Sequence, residues 1–233
     1  MTTRLVKHQK LTKRQIKEDP LVTAAFHGAA VWERHGSRIL LGLGAVCLAG
    51  VLVFFVARTR ARAEERATAD VFRAEMLLQQ QDLPTATQML KEIVDNSPGT
   101  NAAKRAMQLL GDVYMAQGKP AEAVTWYRKY VARAGRDREA KLAGLHGLAA
   151  ALEDRGDFIQ AAANYGELVS LATTDGERGR TMLAQARCFG RAGQTQKAIE
   201  VYKAIQRLPD AEQDLLNAAG VGLGEMQATT PTR

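Results

Sequence analysis

The stretch LLGDVYMAQGKPAEAVTWYRKYV at residues 109–131 recurs in altered form at 147–169 and again at 184–206. The later copies read GLAAALEDRGDFIQAAANYGELV and AQARCFGRAGQTQKAIEVYKAIQ. Self-similarity at a step of 37 or 38 residues predicts a repeat architecture. Each copy has a glycine, an alanine five residues later and a tyrosine four residues after that: Gly118, Ala123 and Tyr127; Gly156, Ala161 and Tyr165; Gly193, Ala198 and Tyr202.

The shared positions indicate two antiparallel helices in each copy. The glycine permits a tight turn between them, and the alanine is expected to be a close contact on the second helix. The tyrosine is expected to pack onto the next pair. A small residue lies seven positions before each glycine and lets the helices cross closely (Gly111, Ala149, Ala186), and an aliphatic residue follows each tyrosine (Val131, Leu168, Ile205).

A weaker first copy is present in LLQQQDLPTATQMLKEIVDNSP at residues 77–98. It departs from the others at Gln81, which replaces the turn glycine, and at Asp70, which occupies a usually apolar position. Its first helix is expected to continue from the preceding segment through residues 58–80. After Pro209, residues 210–227 are predicted to form a last helix that closes the stack. No run is rich in strand-forming residues, so the predicted fold is all-α: an α-solenoid of about four helix pairs plus a capping helix over 58–227.

Upstream of the repeats, residues 39–57 read ILLGLGAVCLAGVLVFFVA, without a charge or a proline. A helix of this length rises about 28 Å, close to the ~30 Å hydrocarbon core of a bilayer. Arginines flank the run on both sides, which predicts a transmembrane helix. The run starts too late and is too long for an ordinary cleaved signal peptide, so we expect a retained anchor. Gly42, Ala45 and Ala49 form a small-residue stripe, which is either a helix-packing contact or ordinary anchor composition.

The N-terminal part is predicted to comprise a basic tail at 1–19 and an amphipathic interfacial helix at 20–38. Asp19 and Pro20 are typical of a helix start. The helix would place apolar side chains on one face (Leu21, Ala25, Phe26, Ala29, Trp32), with breaks offered by Gly28 and Gly36. The alternative is a plain N-terminal extension of the span. Residues 228–233 are predicted to be a disordered C-terminus.

The positive charge of the chain lies almost entirely near the predicted span. Residues 1–62 hold 11 Lys/Arg against 3 Asp/Glu, whereas residues 63–233 hold 21 against 22. This distribution favours contact with anionic lipid and not nucleic-acid binding, which requires a basic face on a folded module. The short tail carries eight Lys/Arg, against five in the twenty residues after the span, which favours a cytoplasmic N-terminus. Cys47 lies in the span and Cys188 in the repeats, so they are not expected to pair.

The glycine, alanine and tyrosine spacing resembles the tetratricopeptide repeat, and three of the four copies match it well. The whole arrangement, with the tail motif KLTKRQIKEDPLV, resembles a family of bacterial inner-membrane proteins. That resemblance implies a single span in the bacterial inner (cytoplasmic) membrane and a repeat domain in the periplasm. One branch of the family is an ancillary subunit of the secretory translocon, thought to link it to periplasmic chaperones.

The residues form no catalytic constellation, phosphate-binding loop or metal-ligand spacing, so we predict a protein that is not an enzyme and has no cofactor. The resemblance instead implies a partner-binding groove on the first helices of the pairs. Carried over residue by residue, its principal members are Arg105, Gln108, Asp112, His146, Glu153, Asp154, Arg180, Arg187 and Arg191. The acidic members are interpreted as solvated groove charges. The three arginines on the fourth copy suit a carboxylate or an acidic segment, or else serve solubility.

Two functions from different classes follow. The first is a membrane-anchored scaffold that is an accessory structural subunit of a multisubunit membrane complex, either the secretory translocon or a respiratory or photosynthetic complex. Its partners would be integral-membrane subunits and membrane lipid. The second is an envelope adaptor that binds soluble periplasmic partners such as cell-wall or chaperone proteins.

Overall fold

The computed structural model describes the backbone of residues 20–228 and the side chains of residues 36–228, except that of residue 39. The predicted tail at 1–19, the apolar face predicted between Leu21 and Trp32, and the last five residues lie outside the described part. Within it every regular element is helical, which confirms the all-α prediction. The helices are α1 (Pro20–Gln79), α2 (Leu83–Asn96), α3 (Asn101–Ala116), α4 (Pro120–Ala134), α5 (Arg138–Arg155), α6 (Phe158–Leu171), α7 (Asp175–Arg191), α8 (Thr195–Ile205) and α9 (Gln213–Ala228).

The chain divides into two compact units between Arg60 and Ala61. In the first unit, α1 is continuous through Gly28 and Gly36, so the break predicted at these glycines is wrong. A glycine within a helix costs only about 1 kcal/mol relative to alanine, and alanines lie on both sides of Gly28. The same helix continues to Gln79 and supplies the first helix of the first copy.

The apolar side chains between Leu40 and Val56 are exposed on every side of α1. Leu41 is 75% exposed, and Phe54 and Phe55 are 60% exposed. A helix of a soluble protein usually buries an apolar stripe against its neighbours, whereas none of this segment is buried. With a mean hydropathy of 2.8, it is long and apolar enough to cross a membrane; a signal sequence near the N-terminus would meet the same criteria.

The second unit consists of four helix pairs and a closing helix, as the repeats predict. Residues 61–79 of α1 share a core with α2, and α3 pairs with α4, α5 with α6, and α7 with α8. The closing helix α9 packs against both α7 and α8. One buried cluster extends from Ala67 to Cys188, and a second lies between α7, α8 and α9.

The turn inside each pair has one residue with a positive φ angle. These are the three predicted glycines, with φ of 66° at Gly118, 87° at Gly156 and 71° at Gly193. In the first pair Gln81 adopts the same conformation at 62° and is the one non-glycine residue with positive φ in the described part. The first pair thus makes the same turn as the others with a residue that is poorly suited to it.

The tyrosine of the repeat packs between successive pairs. A Cβ atom added to Gly111 in the same pair would lie 2.6 Å from the Tyr127 ring. One added to Gly147 in the next pair would lie 2.4 Å from that ring. Tyr202 packs in the same way on Gly222 of α9. The prediction that the tyrosine packs onto the next pair is therefore confirmed for Tyr127, and Tyr202 makes the equivalent contact with the closing helix.

The structure corrects one position of the predicted repeat. Leu168 and Ile205 are buried three residues after their tyrosines, and Tyr130 is buried at the equivalent place in the second pair. Val131, which was predicted for this position, is only partly buried. The spacing from Tyr127 identifies Tyr130, one residue earlier, as the structural equivalent.

Candidate functional site

The predicted groove residues lie on the first helix of three successive pairs. Arg105, Gln108 and Asp112 are on α3; His146, Glu153 and Asp154 are on α5; Arg180, Arg187 and Arg191 are on α7. Gln108 and Glu153 are partly buried, and the other seven are exposed. Helix α3 contacts α5, so two of the three sets lie on adjoining helices.

Ion pairs connect the first helices of neighbouring pairs. Arg105 donates from Nε and Nη2 to Glu75 Oε1 of α1, at 3.1 and 3.0 Å, and its Nη1 lies 3.2 Å from Gln108 Oε1. Lys104 Nζ lies 2.9 Å from Asp137 Oδ2, at the start of α5. The Asp137 carboxylate also accepts a hydrogen bond from the Ala140 N–H. This bond is the larger cause, and the Lys104 contact the next, of a pKa that lies below the usual range for the Asp137 carboxyl. Exposed pairs of this kind add little to stability.

Two groove carboxylates accept hydrogen bonds from repeat tyrosines. Tyr127 Oη donates to Asp112 Oδ1 at 2.5 Å, and Tyr165 Oη donates to Glu153 Oε1 at 2.6 Å. Burial raises the pKa of both tyrosines, and the carboxylate each one contacts raises it further. The interpretation of Asp112 and Glu153 as simply solvated charges is therefore corrected, because each is held by a side chain of its own pair.

The three arginines of α7 do not form one compact cluster. Arg180 Nη1 lies 3.2 Å from Glu212 Oε1, just before α9. Arg191 lies over the Phe158 ring at 4.1 Å from its centroid and is 4.0 Å from Glu153 Oε2. Arg187 is exposed and has no ion pair among the described residues. Eleven residues along a helix span about 16 Å, so Arg180 and Arg191 do not grip one carboxylate together.

His146 and Asp154 are exposed on α5. The pKa of the neighbouring Glu177 on α7 lies below its usual range, mainly because its carboxylate accepts the Thr173 N–H. Proximity to His146 makes a smaller contribution to this lowering. Among the described residues no group of three or more His, Cys, Asp or Glu side chains is placed to hold a metal ion.

A cavity of about 410 Å³ lies along α3 and α5 and includes two of the predicted residues, Arg105 and Gln108. It is also lined by Lys104, Tyr130 and Asp137, which the groove prediction omitted. The groove prediction covered only the first helices of the pairs, whereas Tyr130 lies on the second helix α4. A larger cavity of about 590 Å³ lies at the turns of the first two pairs, against Gln81 and Tyr114.

The two cysteines are both free thiols, as expected. Cys47 is exposed in the apolar part of α1, whereas Cys188 is buried in the fourth pair. Burial raises the pKa of the Cys188 thiol to about 12, and the Glu153 carboxylate beside it adds to the rise. The predicted stripe residue Gly42 lies in the same segment as Cys47, with open space beside it; Ala45 and Ala49 are exposed there as well.

Comparison with known proteins identifies the repeats. The tetratricopeptide repeat family matches residues 77–151 and residues 180–211. Similar solved structures include the TPR-like repeats of a Podosopora anserina kinesin light chain, 22% identical over 71% of this chain and 90% of that one, with a TM-score of 0.53. A MamA RS-1 double mutant is 16% identical over 70% of this chain and 95% of that one, with a TM-score of 0.50. Comparison with curated proteins gave no match.

The fold is therefore a TPR-like helical solenoid, and these two segments match the tetratricopeptide repeat family. Repeats of this family mediate protein–protein interactions, so the chain is a helical-repeat scaffold.

Proposed function

We propose that this scaffold is anchored in a membrane by residues 39–57 and is an accessory structural subunit of a multisubunit membrane protein complex. The observation that carries the proposal is the exposure of every described apolar side chain between Leu40 and Val56. An apolar surface that surrounds a helix on all sides requires lipid or other membrane helices around it. Gly42, Ala45 and Ala49 are the proposed packing contact with a partner's span.

The proposed location is the bacterial inner membrane, with a cytoplasmic N-terminus and a periplasmic repeat domain at 58–227. The excess of Lys/Arg in the short tail supports this orientation. Because α1 is continuous through Gly28 and Gly36, residues 20–38 are proposed to be a plain N-terminal extension of the span. The secretory translocon and a respiratory or photosynthetic complex are the candidate assemblies.

The repeats are proposed to hold partner proteins through the first helices of the pairs. Of the predicted groove residues, Arg187, His146 and Asp154 are exposed and form no hydrogen bond or ion pair with the other described side chains. Arg105, Arg180, Arg191 and Glu153 already have partners within the chain. The proposed groove therefore presents a few separate charges to a protein surface, an arrangement suited to complementarity with a partner.

The anchor is tested by carbonate extraction of membranes that contain the full chain. The unmodified protein is expected to stay in the membrane pellet, whereas a variant with Val51→Arg and Leu52→Arg is expected in the supernatant. Each arginine at the centre of a span costs about 2.5–3.5 kcal/mol on insertion scales. Val221→Arg with Ile159→Arg is the matched control, since it places the same two charges on exposed apolar residues outside the segment. Extraction of the unmodified chain would contradict the proposal.

The complex is tested by extraction in mild detergent, purification on this chain and mass spectrometry. A stoichiometric set of integral-membrane subunits supports the accessory role and identifies the assembly. Recovery of only substoichiometric soluble proteins would favour the envelope adaptor instead. Replacement of Gly42, Ala45 and Ala49 by leucine is expected to release the membrane subunits if these residues are the packing contact. If the chain is an envelope adaptor, the same replacement would leave the recovered set of proteins unchanged.

A further inference from the structure

One face of α1 is bare, and its apolar residues share a helical stripe. Ala69, Phe72 and Met76 are spaced by three and four residues and so lie on the same side of the helix. Phe72 is 64% exposed and Met76 is 42% exposed. Both residues belong to the second unit, within the part of α1 that forms the first pair.

The Met76 position of this stripe is buried in every later pair. The repeat step of 37, 38 and 37 residues relates Met76 to Val113, Ala151 and Cys188, which are 4%, 0% and 0% exposed. It relates Phe72 to Leu109, which is 7% exposed. In the third pair the covering element is the second helix of the preceding pair, because Tyr127 contacts Gly147 and Val131 contacts Gly144. The stripe on α1 therefore has the shape that receives a helix.

The charges beside the stripe define the partner that suits it. Arg62 and Arg66 continue the same spacing and form the N-terminal edge of the stripe; both are exposed and have no ion pair among the described residues. Most nearby acids are already engaged: Glu64 accepts the N–H groups of Asn101 and Ala102, Asp70 pairs with Arg73, and Glu75 pairs with Arg105. Glu65 is exposed and offsets one of the two arginines, so the edge keeps a net positive charge that favours a partner with carboxylates.

We propose that the stripe of Ala69, Phe72 and Met76, with Arg62 and Arg66 at its edge, docks an acidic amphipathic helix of a partner protein. The inference rests on the proposed scaffold function and gives it a second docking surface, outside the groove. A second copy of the chain is a poorer occupant, because an isologous contact would bring two positive edges together. The basic residues 1–19, with six Lys/Arg against two acids, have the same unfavourable sign.

The test uses the full chain in its native membrane, with the photo-crosslinking residue benzoylphenylalanine at position 72. The matched control carries it at position 159, where Ile159 is 57% exposed on α6. We expect an adduct at position 72 that maps to a helical segment with carboxylates beside an apolar face, and no adduct with that protein at position 159. Truncation of an anchor residue in a small interface lowers binding about tenfold or more, so Met76→Ala is expected to reduce the adduct by a similar factor.

Charge reversal distinguishes a specific partner from casual contact. R62E with R66E is expected to lower the adduct about tenfold, because the edge would then repel carboxylates. R133E with R136E, two exposed arginines elsewhere, is expected to leave the yield unchanged. The thermal unfolding of both variants should match that of the unmodified chain, since all four side chains are exposed.

Several outcomes would overturn the proposal: an adduct with a second copy, an adduct with lipid only, an adduct with a segment lacking carboxylates, or no adduct. Carbonate extraction and co-purification on the same membranes separate the two proposals. If the chain resists carbonate and retains its membrane subunits but gives no adduct at position 72, the docking surface alone is wrong. If carbonate removes the chain, the membrane-anchored function is wrong.

Discussion

The first helix pair and the three later pairs follow one plan but differ in how their first helices are covered. In α3, α5 and α7 the side facing the preceding pair is buried, as Val113, Ala151 and Cys188 show. In α1 the equivalent Met76 is exposed, and so is Phe72. The comparison teaches that the apolar pattern of a repeat is fulfilled only where a neighbouring pair supplies the other half of the contact.

The two kinds of pair also differ in the residues that make their turns and hold their ends. The later pairs turn at glycine, whereas the first turns at Gln81 with the same positive φ. The first pair is attached to the second by Glu64, whose two oxygens accept the N–H groups of Asn101 and Ala102 at 2.8 and 2.9 Å. A carboxylate at a helix N-terminus is stabilising, so this contact offsets part of the poorer sequence match.

The largest effect is expected where the covered and bare stripes are compared directly. Leu109→Ala should lower the free energy of unfolding by about 2–5 kcal/mol, because it opens a cavity in a packed interface. Phe72→Ala, at the equivalent bare position, should change it by less than about 0.5 kcal/mol. Chemical denaturation of both purified variants measures the difference. Equal losses would show that the stripe on α1 is already covered within the chain.

The next effect concerns the tyrosine between pairs. Gly147→Ala should destabilise by about 1–3 kcal/mol through overpacking, because its new Cβ would lie 2.4 Å from the Tyr127 ring. Gly224→Ala is the matched control on α9, with open space at its Cβ. Since alanine favours a helix interior, this control should gain about 0.5–1 kcal/mol. A loss in the control equal to that of Gly147→Ala would refute the packing explanation.

The sequence predicted the fold through positions whose role is local. Glycine in a tight turn and alanine at a close crossing are required by the helix pair itself, so Gly118, Gly156 and Gly193 were identifiable without coordinates. The continuous helix through Gly28 and Gly36 was predicted only as the alternative, a plain N-terminal extension of the span, because tolerance of a helical glycine depends on its neighbours.

The candidate site was less predictable, because its charges pair between helices far apart in sequence. Arg105 meets Glu75 and Arg180 meets Glu212, at separations of 30 and 32 residues. A repeat pattern places each residue on a helix face but does not specify which side chain of the adjacent helix it contacts. The predicted cluster of α7 arginines therefore proved to be two paired residues and the exposed Arg187.

An alkaline titration should separate the two kinds of pair by their titratable residues. Burial raises the pKa of Tyr127, Tyr130, Tyr165, Tyr202 and Cys188, the last to about 12. Residues 61–96 contain no tyrosine or cysteine. A group whose pKa is higher in the folded state than in the unfolded state contributes to stability while both states hold the proton. This contribution is lost as the pH rises above the pKa of the unfolded state, which is about 9 for the thiol and about 10 for the tyrosines.

The expected result is a fall in the free energy of unfolding between about pH 9 and pH 12, measured by denaturation and located by hydrogen exchange. Protection should be lost first in α4 to α8 and later in α2. Cys188→Ser is not a clean control because it buries a hydroxyl; Cys188→Ala removes the thiol titration and should move the start of the fall toward the tyrosine range. Simultaneous loss in the first pair would mean that the pairs unfold as one unit and that the difference between them is not energetic.

The smallest effect is expected at the one turn where the first pair departs from the others. Gln81 has a φ of 62°, a conformation that costs a residue with a Cβ roughly 1–2 kcal/mol relative to glycine. Gln81→Gly should therefore stabilise the chain by about 0.5–1 kcal/mol, after the greater entropy of glycine in the unfolded chain is subtracted. The reverse exchange, Gly156→Gln in the third pair at φ 87°, should destabilise it by a comparable amount. Thermal unfolding of the two variants gives the comparison, and their signs decide it. A destabilising Gln81→Gly would mean that the glutamine side chain makes a compensating contact in the neighbouring cavity, which it lines with Pro84 and Tyr114. The first pair would then be adapted to its turn and not strained by it.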